Sequence, residues 1–366
     1  MKLSKILLII ISLITLSSCN SNDNDDPQTE LDVLIESVDN SNNNSSQNSD
    51  HLITTHSGNK VSSLLMSSNE YNSWKNNDQF SEASYRESII KDIYKQFNDQ
   101  YDFIMLILNE DEIPEGINYY GKNIGVSNNT TGIGGGTYDY SSNYGSSGKL
   151  KSVIQLSSLN YLQNGPALHE LLHNWANYAL PTENVDQTGT NLNSFSYYGH
   201  WGFTGGSTPG QLGGFKQSTL EDLGNNKYSV DSFGAFANGG NSVPYSELEL
   251  YLMGMIPLSS VNQFTLFNDI TSLEIENSKY TFTANRVDYG SAELESLLGV
   301  RSPNFIDSQK EFDLLLIVLT DKTLTNNQWD LITSAADWFS FKGADEISLY
   351  NFWEATNGIG SINIGN

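Results

Sequence analysis

The sequence predicts a protein of mixed α and β structure, of the α/β or α+β class. Continuous apolar runs of strand length alternate with stretches in which apolar residues recur every three or four positions. The chain has 366 residues, of which 38% are hydrophobic and 11% aromatic, and this is enough for a substantial core. No internal repeat is visible, which argues against solenoids and propellers.

The predicted elements follow from these patterns. Three apolar runs predict buried strands, at residues 103–108, 151–157 and 312–319. Helical spacing predicts helices over 82–99, from Asn164 to Pro181, and over about 326–338. The Gly/Ser/Tyr-rich stretch 128–148 predicts loops or a hairpin.

The second predicted helix carries the most informative motif, His169-Glu170-Leu171-Leu172-His173. Asn164 is suited to cap this helix, and Pro181 is expected to end it. Four residues along a helix rotate by about 400°, so both imidazoles can reach one metal ion. Glu170 lies between them, where it can act on the water bound to the ion. The pattern predicts a zinc site with Glu170 as general base.

A catalytic zinc site usually has three protein ligands and an open position, so a third ligand is needed. The first candidate is His200, which lies in the glycine-flanked loop Gly199-His200-Trp201-Gly202. The second is Glu249, which follows in the ordered segment 245–255. Three other glutamates remain open alternatives: Glu183, Glu221 and Glu247.

The pentapeptide resembles the active-site motif of the zincin superfamily of metallopeptidases. The longer metzincin motif would need Gly and His where this chain has Ala176 and Ala179, so that branch is excluded. The motif, the Gly-His-Trp loop and segment 245–255 together resemble a group of exported bacterial zincin-like proteins, over roughly residues 100–320. The resemblance implies a mixed sheet packed against a zinc-binding helix, with a C-terminal subdomain after that helix.

The same resemblance implies roles for segment 245–255. Met253 or Met255 would support the metal from below, and Glu249 would bind the metal or hold a histidine ligand from behind. A plainer interpretation of the residues stays open, in which the methionines fill the core and the glutamate is solvated.

These observations predict a zinc metalloendopeptidase that holds one catalytic Zn²⁺ and hydrolyses protein or peptide substrates. Tyr197, Tyr198 and Tyr251 are candidate donors to the oxyanion. The alternative is a surface-exposed binding lipoprotein that captures protein or glycan, with a structural or vestigial zinc site. Asp/Asn-rich loops are also compatible with structural Ca²⁺, but no EF-hand pattern assigns a site.

The N-terminus predicts export and a lipid anchor. Residues 1–18 have a basic start, an apolar core too short to cross about 30 Å of hydrocarbon, and small residues before Cys19. The segment Leu16-Ser17-Ser18-Cys19 resembles a bacterial lipobox, which implies lipidation of Cys19. Residues 19–50 predict a disordered tether, and 51–366 the metallopeptidase domain, with parts before and after about residue 180.

The acidic run after Cys19 resembles an export signal for the outer face of the outer membrane; the periplasmic face is the alternative. The formal net charge of −25 excludes nucleic acid as an expected partner, and the membrane is contacted by the anchor alone. Cys19 is the only cysteine, so the chain can form no internal disulfide. The oligomeric state stays open.

Overall fold

The computed structural model describes residues 51–56, 58–181, 183–185, 192–194, 199–202, 205–231, 240–277 and 279–365, with the backbone alone at 183–185 and 192–194. The predicted signal peptide, Cys19 and the tether lie outside the described residues. Within the described part, no helix is both long and apolar enough to cross a membrane.

The first half of the chain forms strands and helices in alternation. The strands are β1 (Leu52–Thr55), β2 (Val61–Leu65), β3 (Phe103–Leu108), β4 (Gly121–Gly125), β5 (Ser127–Asn128), β6 (Tyr138–Asp139) and β7 (Ser152–Leu156). The helices are α1 (Ser68–Asn76), α2 (Ala83–Tyr94), α3 (Tyr161–Asn164) and α4 (Ala167–Leu172).

The second half adds mostly strands. These are β8 (Glu183–Val185), β9 (Leu192–Ser194), β10 (Glu221–Gly224), β11 (Lys227–Asp231), β12 (Phe264–Glu276), β13 (Lys279–Tyr289), β14 (Glu311–Thr320) and β15 (Ser361–Ile364). The helices are α5 (Glu247–Leu252), α6 (Ser291–Leu298), α7 (Asn326–Phe339) and α8 (Phe352–Ala355).

The main sheet is mixed and has seven strands. Its order is β1-β2-β14-β3-β7-β4, and β15 also pairs with β14. Strands β2, β14, β3 and β7 are parallel, whereas β1 and β4 run antiparallel to their neighbours. Strand β14 lies between β2 and β3, so residues 311–320 supply a central strand of the sheet. The sheet therefore contains strands from both sides of the predicted boundary near residue 180.

Both faces of this sheet are buried. On β3, Phe103, Met105 and Ile107 belong to one core cluster, together with α4 and α7. The alternate residues Ile104, Leu106 and Leu108 belong to a second cluster with α1 and α2. Because side chains alternate along a strand, each apolar run serves two cores at once. The result is a layer of helices on each face of the sheet.

A second, antiparallel sheet has the order β10-β11-β13-β12. Its own small core contains Phe215, Tyr228, Phe267 and Phe282. The hairpin β12–β13 keeps its register except for a shift between Asn268 and Ser272.

The structure confirms the mixed α and β class and the three predicted strands, at β3, β7 and β14. It also confirms the last predicted helix, at α7, and the hairpin prediction, as β5 paired with β6. The helix predicted over 82–99 is shorter, because α2 ends at Tyr94, and a turn at Lys95 and Gln96 followed by irregular chain leads to β3.

The prediction for the motif helix was wrong at both ends. Helix α4 begins after Pro166, while Asn164 ends the preceding helix α3. It ends at Leu172, with His173 as its C-cap. The next amides bond three residues back, from Asn174 to Leu171 and from Trp175 to Leu172, so the chain tightens into turns.

Candidate metal centre

Three histidine side chains converge at the end of α4. The Nε2 atoms of His169 and His173 are 3.0 Å apart, and His200 Nε2 lies 2.9 Å and 3.2 Å from them. Three nitrogens around a tetrahedral zinc ion at the usual bond length of about 2.0–2.1 Å are about 3.3–3.4 Å apart. The donor set therefore fits one such ion with little movement.

In two of the rings, the hydrogen bond made by Nδ1, on the side away from the cluster, determines which nitrogen carries the proton. His169 Nδ1 donates to the carbonyl oxygen of Gln211 at 3.2 Å, and His173 Nδ1 donates to Asn177 Oδ1 at 2.6 Å. A carbonyl can only accept, so the proton is on Nδ1 and Nε2 carries a lone pair. Lone pairs that point at a common centre repel one another unless a cation lies between them, which agrees with a metal site.

Burial sets the charge state of these imidazoles. His169 and His200 are each 2% exposed. Loss of solvation lowers the pKa of His169 and of His200 well below the usual value, and the neighbouring histidines lower it further. Both rings are therefore neutral near pH 7, the form that binds a metal.

His200 is held by close contacts between two glycine-rich segments. Trp201 donates its amide to the Leu212 carbonyl at 2.6 Å, and Gly214 donates to Gly202 O at 2.7 Å. Gly213 has a φ of +147°, and a Cβ there would lie 2.4 Å from Gly202 O, so this approach requires glycine. The loop with His200 and the loop with Gln211 thus form one unit beside α4.

Glu170 lies on the side of α4 that faces strand β4. The Glu170 side chain is buried, and a Cβ added at Gly121 would lie 2.8 Å from its Oε1. Asn123 in the same strand donates its side-chain amide to Glu170 O at 2.6 Å. The antiparallel edge strand and the motif helix are therefore in direct contact beside the three histidines.

Glu249 lies outside the group of three histidines that could hold a metal. It is completely buried at the start of α5, and both of its carboxylate oxygens accept backbone amides, from Gln211, Leu212 and Ser246. Burial raises the pKa of Glu249, and these amides oppose that rise. The structure places Glu249 behind the 211–212 peptide, whose carbonyl oxygen is bonded to His169, and not among the three converging imidazoles.

The remaining predicted residues lie elsewhere in the structure or outside the described residues. Met253 and Met255 are buried in the main core, with the Met255 methyl group facing Gly360. Glu221 is exposed and pairs with Lys279, and Glu247 accepts two bonds from Asn262. Tyr251 is buried. Tyr197, Tyr198 and the side chain of Glu183 lie outside the described residues.

Three residues that support the site had escaped prediction: Asn177, Gln211 and Asn241. Asn177 lies four residues after His173, so helical spacing could have indicated it. Gln211 acts through its main-chain oxygen, which leaves no side-chain signal. Asn241 binds the start of α4 from a distant segment, by accepting from Leu168 N at 3.0 Å.

Comparison of the chain with protein-family models, with curated proteins and with solved structures gave no match.

Proposed function

We propose that this protein is a zinc-dependent metalloendopeptidase with a zincin-like fold. The observation that carries the proposal is the convergence of three imidazole Nε2 atoms within 3.2 Å of one another, beside the buried Glu170. His169, His173 and His200 would hold the ion. When bound, zinc supplies Lewis-acid chemistry: it polarises a carbonyl group and acidifies water.

Glu170 provides the proton chemistry. As a carboxylate it accepts a proton from the attacking water and passes it to the amine that leaves. Burial against Gly121 restricts the Glu170 side chain, which favours a general base held in one position.

Strand β4 supports a peptide as substrate. It is an edge strand of the described main sheet and adjoins Glu170 at Gly121. An extended peptide can add to such an edge by main-chain hydrogen bonds, which recognise the backbone whatever its side chains. A peptide bound there would run past Glu170.

We further propose that Cys19 is lipidated and that the tether holds the domain at the outer membrane, on its outer face. The acidic composition suits this exported setting, because a formal charge of −25 over the whole chain favours solubility and disfavours contact with anionic head groups.

The test is Glu170→Gln in the full-length mature protein. This change keeps the shape but removes the base, so cleavage of a fluorogenic peptide library should fall about 10²–10⁴-fold. Zinc content, measured by atomic emission, should stay equal to wild type. The control is Glu354→Gln, which alters a glutamate in the cap of α8.

Undiminished cleavage by Glu170→Gln would refute this mechanism. Protein or glycan binding that resists a chelator, with no cleavage by the wild type, would instead favour the binding lipoprotein.

A further inference from the structure

We infer that Glu249 is a positioning residue that acts on His169 through a single peptide group. A buried carboxylate, one peptide and an imidazole form a continuous hydrogen-bonded chain behind this metal ligand. The inference rests on the proposed zinc site and adds a residue that touches neither metal nor substrate.

The chain has two links, and both involve the peptide between Gln211 and Leu212. The N–H of Leu212 donates to Glu249 Oε1 at 2.9 Å. The carbonyl oxygen of the same peptide, on Gln211, accepts the proton of His169 Nδ1 at 3.2 Å. Glu249 is thus connected to His169 by one planar, conjugated unit.

The rest of the Glu249 environment holds the carboxylate in place. Its Oε2 accepts the amides of Gln211 at 3.0 Å and Ser246 at 2.8 Å. The side chain has no exposed surface. A Cβ at Gly210 would lie 2.2 Å from Oε2, so the loop can approach the carboxylate this closely only with glycine at that position.

The N–H donors around Glu249 are suited to a side chain in its negatively charged carboxylate form. Three N–H donors reach the two oxygens, and such bonds to an ionised acceptor are roughly twice as strong as neutral ones. An anion on the N–H side of a peptide polarises its carbonyl, because hydrogen bonds in a chain strengthen one another. The Gln211 oxygen then holds the Nδ1 proton of His169 more firmly.

This has a direct effect on the metal ligand. Zinc-binding histidines commonly give their second N–H to a carboxylate or a carbonyl, which fixes the tautomer and raises ligand basicity. Here a carbonyl and a carboxylate act one behind the other: His169 donates to the Gln211 carbonyl, and the N–H of the same peptide donates to Glu249. Loss of the Glu249 charge should weaken the polarisation and free the 211–212 loop, even though all three histidines remain.

The experiment compares Glu249→Gln with wild type and with Glu293→Gln. Glu293 is a matched control, since its carboxylate also accepts the backbone amide of a helix N-cap, Gly290 at the start of α6, but the side chain is exposed. The zinc dissociation constant of the metal-stripped protein is measured by competition with a chromophoric chelator. Glu249→Gln should bind zinc about 10–100-fold more weakly, and Glu293→Gln should match wild type.

A cobalt-substituted sample provides a second readout. The visible spectrum of bound Co²⁺ should shift in Glu249→Gln and not in Glu293→Gln, because the field of the His169 ligand changes. A purely structural role would lower the unfolding temperature of the metal-free protein but leave the zinc affinity and cobalt spectrum of the folded form unchanged. That result would overturn the inference.

If Glu249→Gln does not fold, NMR of the wild type decides. We expect the Leu212 amide proton far downfield and slow to exchange, and His169 protonated at Nδ1. An ordinary Leu212 amide shift, or a His169 proton on Nε2 in the metal-free protein, would overturn the inference.

The outcomes separate the two proposals. Wild-type protein that binds no zinc would refute both, whereas equal zinc affinity of wild type and Glu249→Gln would refute only the role of Glu249. Tight zinc binding that depends on Glu249, without peptide cleavage, would support this inference and count against the peptidase.

Discussion

At the scale of single residues, Gly121 controls the space around the proposed base. Its missing side chain leaves room for Glu170: an added Cβ would lie 2.7 Å from Glu170 Cγ and 2.8 Å from Pro166 Cγ. Such distances are closer than real Cβ contacts allow, so any side chain there must displace the glutamate or the strand.

Gly121→Ala should therefore lower peptide cleavage by at least about 10-fold, since small misplacements of catalytic groups have large effects on rate. The histidines do not move in this account, so zinc content should stay at the wild-type level. The control is Gly136→Ala, where a Cβ would meet nothing within 4 Å. Full activity with normal zinc content in Gly121→Ala would contradict the proposed position of Glu170.

At the scale of elements, α4 is a short helix stabilised largely by distant residues. Its first turn has no side-chain cap of its own. Asn241 accepts from Leu168 N and donates to the carbonyls of Leu162 and Gln163, and Tyr245 donates its hydroxyl to Leu168 O. One segment thus joins the end of α3 to the start of α4.

Asn241→Ala should destabilise the fold by about 1–3 kcal/mol, because it removes a cap and leaves buried carbonyls without a donor. The measurement is urea unfolding of the metal-free protein. Asn285→Ala, at an exposed asparagine that donates to Asp269, should change stability by less than about 0.5 kcal/mol. Equal effects of the two changes would show that the Asn241 contacts do not stabilise α4.

The same element shows what the sequence can and cannot predict. The run at 103–108 was predictable because a strand buried on both faces needs apolar residues at every position. The extent of α4 was not, since buried residues such as Trp175 and Ala179 have the same spacing in the turns that follow as in a continued helix.

Prediction of the site had a similar limit. His169 and His173 could be predicted as two ligands of one ion because four residues correspond to about one helical turn. The chain has only five histidines, and this scarcity indicated His200 as the third. The strands β10 to β13 went unpredicted: their half-exposed faces give a weak apolar signal, and polar residues such as Asn268 interrupt the alternation.

At the scale of the whole molecule, an ion-pair cluster joins the first described residues to two helices. His51 Nε2 lies 3.0 Å from Glu70 Oε1 on α1, and its Nδ1 lies 2.8 Å from Asp92 Oδ2 on α2. The bond with Glu70, assisted by Asp92, raises the pKa of His51 above its usual 6.5. The same bond lowers the pKa of Glu70 from 4.5.

The two pKa shifts determine how the stability of the fold depends on pH. Because the pKa of His51 is higher in the folded state, its contribution to stability is complete below pH 6.5, the usual pKa, and is lost as pH rises through the higher folded pKa. The Glu70 contribution is present above 4.5 and is lost as pH falls through its lower folded value. The cluster therefore stabilises most between these two usual values.

His51→Gln should cost about 0.5–1 kcal/mol of unfolding free energy near about pH 6, and clearly less near about pH 9. Urea unfolding of the metal-free proteins at both pH values measures the difference. His56→Gln, which removes an imidazole stacked on Trp329 at 4.6 Å, controls for the loss of a histidine ring outside the cluster. A cost that is the same at both pH values would contradict this account.

The central position of β14 has a consequence for the order in which the fold can form. A chain that emerges N-terminus first presents β2 and β3 long before residues 311–320, the strand that lies between them. The sheet between them cannot be completed until residues 311–320 are available. Helix α4 therefore has no finished sheet beneath it while the chain is still being made. Under the proposed function, hydrolytic activity would begin only in the completed molecule, which would spare the machinery that synthesises the chain.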